Sequence, residues 1–365
     1  MIDIFIIAGE TSGDNLGGEL LQALYLQNPK LRIAGIGGPR MRAAGIDLFF
    51  PMEELQVMGF MDVFLALPRL ISRFQKTVRA ILQANPPVVV TIDYPGFNLR
   101  LARALKKKGF KGKICHYICP SVWAWGKSRI ALMEKNLDLL LSVLPFEKSY
   151  FSHLRVEYIG HPLVDQITAS SNHDPQLIAF FPGSRSHEIE KNFPYFLQLI
   201  QKLQLEFPHR CVVSLSQEKY RPRLLDMMQS AKIQLPLLLP EELKKIKPAL
   251  AIAKSGTISL ELALQEIPTV ITYAISSFDT FVARYIFRIS LPYYALPNLI
   301  ADKEIFPELI GPSLTLETLY REVKNLIINP EAREKIIQDC HSLRSLLSSE
   351  NASPKAAQLI LSLPK

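Results

Sequence analysis

Short runs of consecutive apolar residues recur along the first half of the chain. A half-exposed sheet would instead show strict alternation of apolar and polar residues. Such runs are typical of parallel strands that are buried on both faces. Segments with helical spacing separate them, so strand and helix alternate. The predicted strands of this half cover residues 2–8, 31–36, 87–92, 113–119 and 138–144.

The same alternation starts again after a polar stretch, with predicted strands at 177–181, 211–215, 235–239, 250–253 and 268–273. Two such units predict an α/β protein with two Rossmann-like, doubly wound domains facing a cleft. The linker is expected within residues 160–175, which hold two prolines and a polar run. The expected boundaries are an N-terminal domain at 1–170, a C-terminal domain at 171–335, and a helical tail at 336–365 that packs back on the first domain.

The net charge of the chain indicates which classes of partner to expect. The 365 residues carry a formal net charge of +8, which favours an anionic partner such as nucleic acid, a phosphorylated small molecule or an anionic lipid surface. No helix-turn-helix, zinc-finger, RNP or KH pattern is present in the sequence, so nucleic acid is not expected. A phosphorylated substrate and a lipid surface remain.

The sequence gives no sign of export. No apolar run reaches the ~18 residues that a membrane span needs, and the first residues lack the basic region of a signal peptide. Four cysteines do not suggest a disulfide scaffold. Cys115 and Cys119 flank His116 but lie in a strand-like run, so we interpret them as buried residues and expect no metal site. A cytoplasmic protein is predicted.

A polar turn follows the first strand, at residues 8–18. Its glycines do not match the dinucleotide fingerprint G-x-G-x-x-G. Glu10 and Ser12 suggest polar contacts to a hydroxylated substrate, and Gly13 would give close backbone approach. The alternative, that Ser12 or Asp14 simply caps the next helix, stays open.

The strand at 88–92 runs into Asp93-Tyr94-Pro95-Gly96-Phe97-Asn98. A carboxylate at this strand end, held by a rigid turn, is a candidate general base. An Asx-turn cap is the alternative. The next strand ends in Pro-Ser-Val-Trp-Ala-Trp at 120–125, which places Trp123 beside the same cleft or in a domain interface.

Two loops of the second half have residues suited to binding a phosphate group. Gly183-Ser184-Arg185 offers backbone amides and a guanidinium fork. Ser255-Gly256-Thr257 opens a helix whose N-terminus favours anions, and Glu261 one turn later suits the hydroxyls of a ribose. N-capping by the serine and threonine, and an ion pair of Arg185 with Glu188, are the alternatives. Because a Walker lysine and a second acidic motif are absent from the sequence, a nucleotide diphosphate that leaves without metal help fits best.

One amphipathic helix has an unusual charge pattern. Its apolar stripe continues upstream to Phe64, and no acidic residue occurs between 63 and 85. A basic face beside surplus apolar surface favours docking on an anionic membrane; packing on the core is the alternative. The stripe and the basic face consist of Leu67, Leu70, Ile71, Phe74, Val78, Ile81 and Leu82, and of Arg69, Arg73, Lys76 and Arg79.

Taken in order, these motifs resemble the lipid-A-disaccharide synthase family, a glycosyltransferase family. Lys254 stands at a position where the family usually has a small residue. Ile258-Ser259 is a second departure from the family pattern. The similar segments are 8–14, 37–41, 52–59, 92–98, 120–125, 144–147, 160–163, 182–185, 255–261 and 296–300.

The resemblance implies a GT-B fold and an inverting, metal-independent transfer with no cofactor. The donor would be a UDP-2,3-diacylglucosamine and the acceptor a 2,3-diacylglucosamine 1-phosphate. The products would be a β-1′,6-linked disaccharide 1-phosphate and UDP. The family acts as a peripheral protein on the inner face of the cytoplasmic membrane; a homodimer is left open.

The motifs and the helix pattern, taken together with this resemblance, predict roles for residues of this chain. Asp93 would be catalytic. The UDP-binding residues would be Gly183, Ser184, Arg185, Ser255, Gly256, Thr257, Glu261 and Asn298. The acceptor side would comprise Glu10, Ser12, Gly13, Asn98 and Trp123, and the membrane contact Phe64, Leu67, Arg69, Arg73 and Lys76.

Two other classes of function remain open. One is another UDP-sugar enzyme of the same fold, either a peptidoglycan-type N-acetylglucosaminyltransferase or a UDP-sugar 2-epimerase. The other is a non-catalytic, membrane-docking protein that binds a nucleotide sugar. The motifs at 8–14, 92–98 and 120–125 favour the resemblance over these alternatives, since acceptor recognition is expected in the first domain.

Overall fold

The computed structural model describes residues 2–55, 60–123, 126, 128–167, 173–243, 245–275, 291–347 and 352–364, without the side chains of 60–67. The chain divides into two compact units. Unit 1 comprises Met1–Pro162 with Ser348–Lys365, and unit 2 comprises Leu163–Leu347. Each unit has its own sheet, and every strand pair in the described residues is parallel.

Unit 1 holds a seven-stranded sheet in the order β3-β2-β1-β4-β5-β6-β7. Its central strands are buried from end to end, as consecutive apolar residues require in a sheet covered on both faces. The strands are β1 Ile4–Ala8, β2 Ile33–Gly37, β3 Asp47–Pro51, β4 Val88–Ile92, β5 Lys113–Tyr117, β6 Leu139–Ser142 and β7 Val156–Tyr158.

Helices connect these strands and cover the sheet. Helix α1 begins at Thr11, inside the predicted polar turn at 8–18. Its Gly17 lies against Met41: a Cβ there would lie 2.5 Å from the Met41 sulfur. The helices are α1 Thr11–Gln27, α2 Pro39–Ala43, α3 Phe60–Ala84, α4 Pro95–Lys107 and α5 Ser128–Asn136, with α6 Pro162–Gln166 at the unit boundary.

Unit 2 holds a six-stranded sheet in the order β10-β9-β8-β11-β12-β13. The strands are β8 Asp174–Phe181, β9 Arg210–Ser214, β10 Leu237–Leu238, β11 Pro248–Lys254, β12 Thr269–Tyr273 and β13 Glu308–Ile310. The helices are α7 Ser186–Glu206, α8 Arg221–Ser230, α9 Pro240–Leu243, α10 Thr257–Leu264, α11 Leu296–Ala301, α12 Leu316–Ile328 and α13 Pro330–Leu347.

The last helix, α14 Ala352–Leu361, belongs to unit 1 although it follows unit 2 in the chain. It buries Ala356, Ala357 and Ile360, and the Gln27 amide of α1 donates a hydrogen bond to the carbonyl of Pro354 at 2.9 Å. The structure confirms the α/β class and the two doubly wound units. It also adds three edge strands, β3, β7 and β13, that the apolar runs did not predict.

Candidate active site

The strand order of unit 1 reverses between β1 and β4, which are neighbours in the sheet. In open α/β sheets, ligands bind at the carboxyl ends of the strands at such a switch point. β1 leads directly into Gly9 and Glu10, and β4 leads into Asp93 and Tyr94. Two segments singled out in the sequence therefore meet at the edge where a ligand is expected.

Backbone strain is concentrated at this edge. Four of the seven non-glycine residues with positive φ in the described chain follow the ends of helices, where a left-handed residue is a common terminator. The other three are Asp93 (φ 46°), Tyr94 (φ 47°) and Ile118 (φ 75°), just after β4 and β5. Positive φ is unfavourable for bulky and β-branched side chains, and such strain is typical of functional sites.

Asp93 lies half-buried in this strained turn. Burial raises the pKa of its carboxyl group above the usual value, and a hydrogen bond with the Tyr94 backbone offsets part of that effect. The Asn98 amide fixes the turn, because it donates to the carbonyl oxygens of Asp93 at 2.7 Å and of Ile92 at 3.2 Å. A rigidly held carboxylate with a raised pKa is suited to accept a proton.

Tyr94 joins the two strand-end loops. Its ring lies so close to Gly9 that a Cβ there would be 2.4 Å from Tyr94 Cδ1, and its hydroxyl donates to the carbonyl of Leu55 at 3.1 Å. Burial, followed by the negative charge of Glu10, raises the pKa of Tyr94. The Tyr94 ring therefore holds the turn of Asp93 against the end of β1.

The remaining residues of the first loop have different roles. Glu10 and Ser12 are exposed, as surface contacts to a ligand would require. Gly13 is buried, and a Cβ there would meet Ala8 and the carbonyl of Ile92 at 3.4 and 3.5 Å. These are ordinary van der Waals distances, so packing alone does not require glycine at this position, and the close approach to substrate stays a prediction.

Asp14 does not cap its own helix. Its buried carboxylate accepts hydrogen bonds from the backbone N–H groups of Gly38 at 2.7 Å, Arg40 at 2.9 Å and Met41 at 3.1 Å. These groups lie at the N-terminus of α2, where N–H groups lack partners within the helix. Asp14 therefore ties the loop after β2 to α1, beside the switch point.

Trp123 packs edge-on against Phe146, with ring centroids 5.9 Å apart. Next to Phe146, the carboxyl group of Glu147 is 1% exposed and accepts a hydrogen bond from the Ser142 hydroxyl at 2.6 Å. Burial raises the pKa of Glu147 to about 7, although hydrogen bonds from Ser142 and Leu144 offset part of the effect. Glu147 was included in the sequence analysis only as part of the family-like segment 144–147, without a role; a glutamate at the end of the apolar run at 139–147 was the available signal.

The strand order of unit 2 reverses between β8 and β11, and both predicted phosphate loops follow these strands. Gly183 has a φ of 134°, and a Cβ there would lie 2.6 Å from Glu188 Cβ. The Ser184 N–H donates to Glu188 at 3.0 Å, so the loop folds over the first turn of α7. Arg185 keeps 72% of its side chain exposed, which leaves it accessible to an anion.

The second loop does not use its side chains to cap α10. The helix begins after Gly256 without a side-chain cap, and the Ser255 hydroxyl donates to the carbonyl of Tyr294 at 3.0 Å. Thr257 is exposed at the start of the helix and Glu261 is half-buried one turn later. N-capping therefore does not explain Ser255 and Thr257, and the helix N-terminus retains amide groups for an anion.

The side chain of Asn298 forms all of its hydrogen bonds within unit 2. Its amide nitrogen donates to the Phe306 carbonyl and to Glu308, both at 2.8 Å, and its oxygen accepts the N–H groups of Ile305 and Phe306, both at 2.9 Å. These four contacts use the hydrogen-bonding capacity of an asparagine side chain. They give Asn298 a role in holding the segment before β13, in contrast to the predicted direct contact with UDP.

Helix α3 packs on the core of unit 1 through its C-terminal half, where Val78 and Ile81 are buried. Arg73 forms an ion pair with Glu54 and lies over the ring of Phe50, 5.5 Å from its centroid. Arg73 is therefore not a freely exposed cation, because an acidic residue outside 63–85 reaches it. The predicted contacts of Phe64 and Leu67 lie outside the described side chains.

Two further properties apply to the described parts of the chain. None of the helices there is both long enough and apolar enough to span a lipid bilayer. No group of three or more histidine, cysteine, aspartate or glutamate residues there is arranged to hold a metal ion.

Solved structures share this architecture. A UDP-GlcNAc 2-epimerase of Methanocaldococcus jannaschii, in complex with UDP-GlcNAc and UDP, is 12% identical with a TM-score of 0.62, covering 98% of this chain and 99% of that one. A glycosyltransferase of Rickettsia africae is 14% identical with a TM-score of 0.58, covering 98% of each chain. These similarities confirm the predicted GT-B fold.

Sequence comparison is more specific. The lipid-A-disaccharide synthetase family model matches residues 4–362. The lipid-A-disaccharide synthase of Azotobacter vinelandii is 34% identical, covering all of this chain and 98% of that protein. That of Chlamydia trachomatis serovar D is 40% identical, covering 96% of this chain, which spans 61% of the chlamydial protein. The chain therefore belongs to the lipid-A-disaccharide synthase family.

Proposed function

We propose that this protein transfers a diacylglucosamine unit from UDP-2,3-diacylglucosamine to the 6-hydroxyl of 2,3-diacylglucosamine 1-phosphate. The observation that carries this proposal is the near-full-length family match combined with a half-buried carboxyl group, Asp93, in a strained turn at the switch point of unit 1. The products are the β-1′,6-linked disaccharide 1-phosphate and UDP.

In the proposed reaction, the acceptor 6-oxygen attacks C1 of the donor sugar while the bond from C1 to the β-phosphate oxygen breaks. The proton of the 6-hydroxyl passes to the Asp93 carboxylate, and the electron pair of the broken bond leaves on UDP. Attack from the opposite face inverts the configuration at C1. The raised pKa of Asp93 makes it a better proton acceptor than an ordinary aspartate.

When the bond to C1 breaks, the departing UDP gains one negative charge on its β-phosphate, and this charge must be stabilised. Arg185, the amide of Gly183 and the N-terminus of α10 supply positive groups in unit 2. Glu261 would accept hydrogen bonds from the ribose hydroxyls. These groups can stabilise a leaving diphosphate directly, so we expect transfer to proceed in the presence of EDTA.

We also propose that the enzyme works as a peripheral protein on the anionic, cytoplasmic face of the inner membrane, where its acylated substrates reside. Exposed cations on α3, among them Lys76 and Arg79, support this placement. Arg73 contributes less than expected, since Glu54 pairs with it.

The deciding experiment incubates the purified protein with both acylated substrates in EDTA and measures UDP release and disaccharide formation. Matched reactions contain UDP-GlcNAc alone, to detect 2-epimerisation, or both acylated substrates with Asp93→Asn. Disaccharide formed only by the wild type supports the proposal. Epimerised UDP-sugar, or UDP-sugar binding without any product, would replace it with one of the alternative functions.

A further inference from the structure

Lys254 lies at the end of β11, at the switch point of unit 2. Its ammonium group is 2.8 Å from Glu188 Oε1 and 4.7 Å from the centre of the Tyr273 ring. Only 15% of the side chain is exposed. The lysine therefore directs its charge into unit 2, toward the carboxylate beneath the first phosphate loop.

Glu188 is an unusual neighbour for a diphosphate site. Its carboxylate is 3% exposed and lies against the Gly183–Arg185 loop, where it accepts the Ser184 N–H at 3.0 Å. A buried negative charge there opposes the binding of a second anion and needs a counter-charge. Among the residues that the structure describes, Lys254 and Arg185 are the cations that pair with it.

The two cations contact Glu188 very differently. Arg185 reaches it through Nη1 at 3.4 Å with most of its side chain in solvent, whereas Lys254 is close and largely buried. Burial raises the pKa of Glu188, but the hydrogen bonds from Lys254 and Ser184 and the charges of Lys254 and Arg185 hold it below its usual value. Lys254 is the principal counter-ion.

We infer that Lys254 is a positioning residue for the UDP site: it neutralises Glu188, so that Glu188 can hold the Gly183–Arg185 loop while the Arg185 guanidinium stays available to the diphosphate. This inference rests on the proposed UDP-binding function. Without Lys254, the buried carboxylate recruits Arg185 as its partner and repels the incoming phosphates.

The test compares UDP affinity by calorimetry in three variants. Lys254→Met should weaken UDP roughly 10- to 150-fold, the range expected when a charged hydrogen-bond partner is left unpaired. Glu188→Gln combined with Lys254→Met should restore affinity to within about threefold of wild type, because no buried charge remains. Lys245→Met, an exposed lysine before β11, is the control and should bind normally.

The double variant separates this role from direct contact. If Lys254 binds the diphosphate itself, the double variant stays as weak as Lys254→Met, which overturns the inference. Unchanged affinity in Lys254→Met also overturns it.

A ligand-free measurement keeps the inference distinct from the proposed function. The lowered pKa of Glu188 means that its stabilising effect is present above the unfolded-state pKa and is lost as the pH falls through the folded-state value. Thermal unfolding should therefore show that Lys254→Met is destabilising at pH 7 and that this effect shrinks at acid pH and in the Glu188→Gln background. Absence of that coupling rejects the inference. Failure of the wild type to bind UDP, with the coupling intact, rejects the proposed function and leaves Lys254 only as the counter-ion of Glu188.

Discussion

The ring of Tyr94 covers the α-carbon of Gly9, so closely that a β-carbon on residue 9 would lie 2.4 Å from Tyr94 Cδ1. This contact joins the residue after β1 to the residue beside Asp93. Position 9 is thus restricted to glycine by a neighbour distant in sequence. A methyl group there must displace the aromatic ring, and the turn that carries Asp93 would move with it.

Gly9→Ala should therefore lower both stability and activity. Overpacking of this kind typically costs ~1–3 kcal/mol, and kcat should fall because the strained turn shifts. Thermal unfolding and initial rates measure the two effects. Gly96→Ala is the matched control, since a Cβ there meets nothing within 4 Å and Gly96 lies in the first turn of α4. Equal behaviour of the two variants would refute the contact's importance.

Asp93→Asn should reduce kcat by ~10²–10⁴-fold, the usual loss for a general base. Asparagine tolerates positive φ as aspartate does, so the fold should persist. Because burial raises the pKa of Asp93, wild-type kcat/KM should begin to fall on the acid side at a higher pH than an ordinary aspartate would give. The rate must decrease as the pH decreases, since the active form is the carboxylate. Near-normal turnover in Asp93→Asn would remove its catalytic role.

Glu261→Ala should weaken UDP binding roughly 10- to 150-fold, as expected for loss of a charge-assisted hydrogen bond of ~1.5–3 kcal/mol. Uridine without phosphate should lose affinity by a similar factor, because the contact is to the ribose. Glu190→Ala serves as control, since Glu190 is exposed on α7 and pairs with Arg223. Calorimetry showing unchanged UDP affinity in Glu261→Ala would exclude the ribose contact.

The Glu147 carboxyl group should make stability depend on pH. Its folded pKa of about 7 exceeds the ordinary value of 4.5, so its favourable contribution is complete below the unfolded value and is lost as the pH rises through about 7. The loss is on the order of 3 kcal/mol from the size of the shift. Glu147→Gln should thus raise stability at pH 8 and have little effect at pH 4.5, as measured by urea unfolding. A variant less stable than wild type at pH 8 would contradict this expectation.

Membrane docking by α3 predicts that Lys76→Gln with Arg79→Gln weakens binding to anionic vesicles. If each cation contributes ~1 kcal/mol, the affinity should fall roughly 30-fold in a flotation assay at low salt. Lys107→Gln with Lys108→Gln is the control, because these exposed lysines lie at the far end of another helix, α4. A similar fall in both pairs would mean that binding follows net charge rather than this helix.

The central strands were predictable because each is a continuous apolar run, as in Val88–Ile92. The edge strands β3, β7 and β13 were not, since each buries one residue; β10, which also lies at an edge, was predicted from the apolar run at 235–239. Of the five residues of β3, Phe50 is the buried one. β7 and β13 have three residues each. Sequence periodicity carries little signal at that length.

The site was predictable where a motif follows a strand and unpredictable where function depends on long-range contacts. Asp93 and Arg185 could be placed because each comes just after a buried strand. The partners of Asp14 and Lys254 could not, since their contacts depend on how separate strands pair. Glu188 and Lys254, for example, are 66 residues apart in the chain.

Helix α14 is part of unit 1, although it follows all of unit 2 in the chain. During synthesis the ribosome therefore delivers all of unit 2 before the segment that covers α1, although domains usually fold in the order in which they emerge. The buried faces of α1 and α14 can meet only afterwards. A fragment ending at Pro162 would expose the surface that Ala356 and Ile360 cover, so unit 1 should be produced as a separate protein only when residues 348–365 are fused back to it.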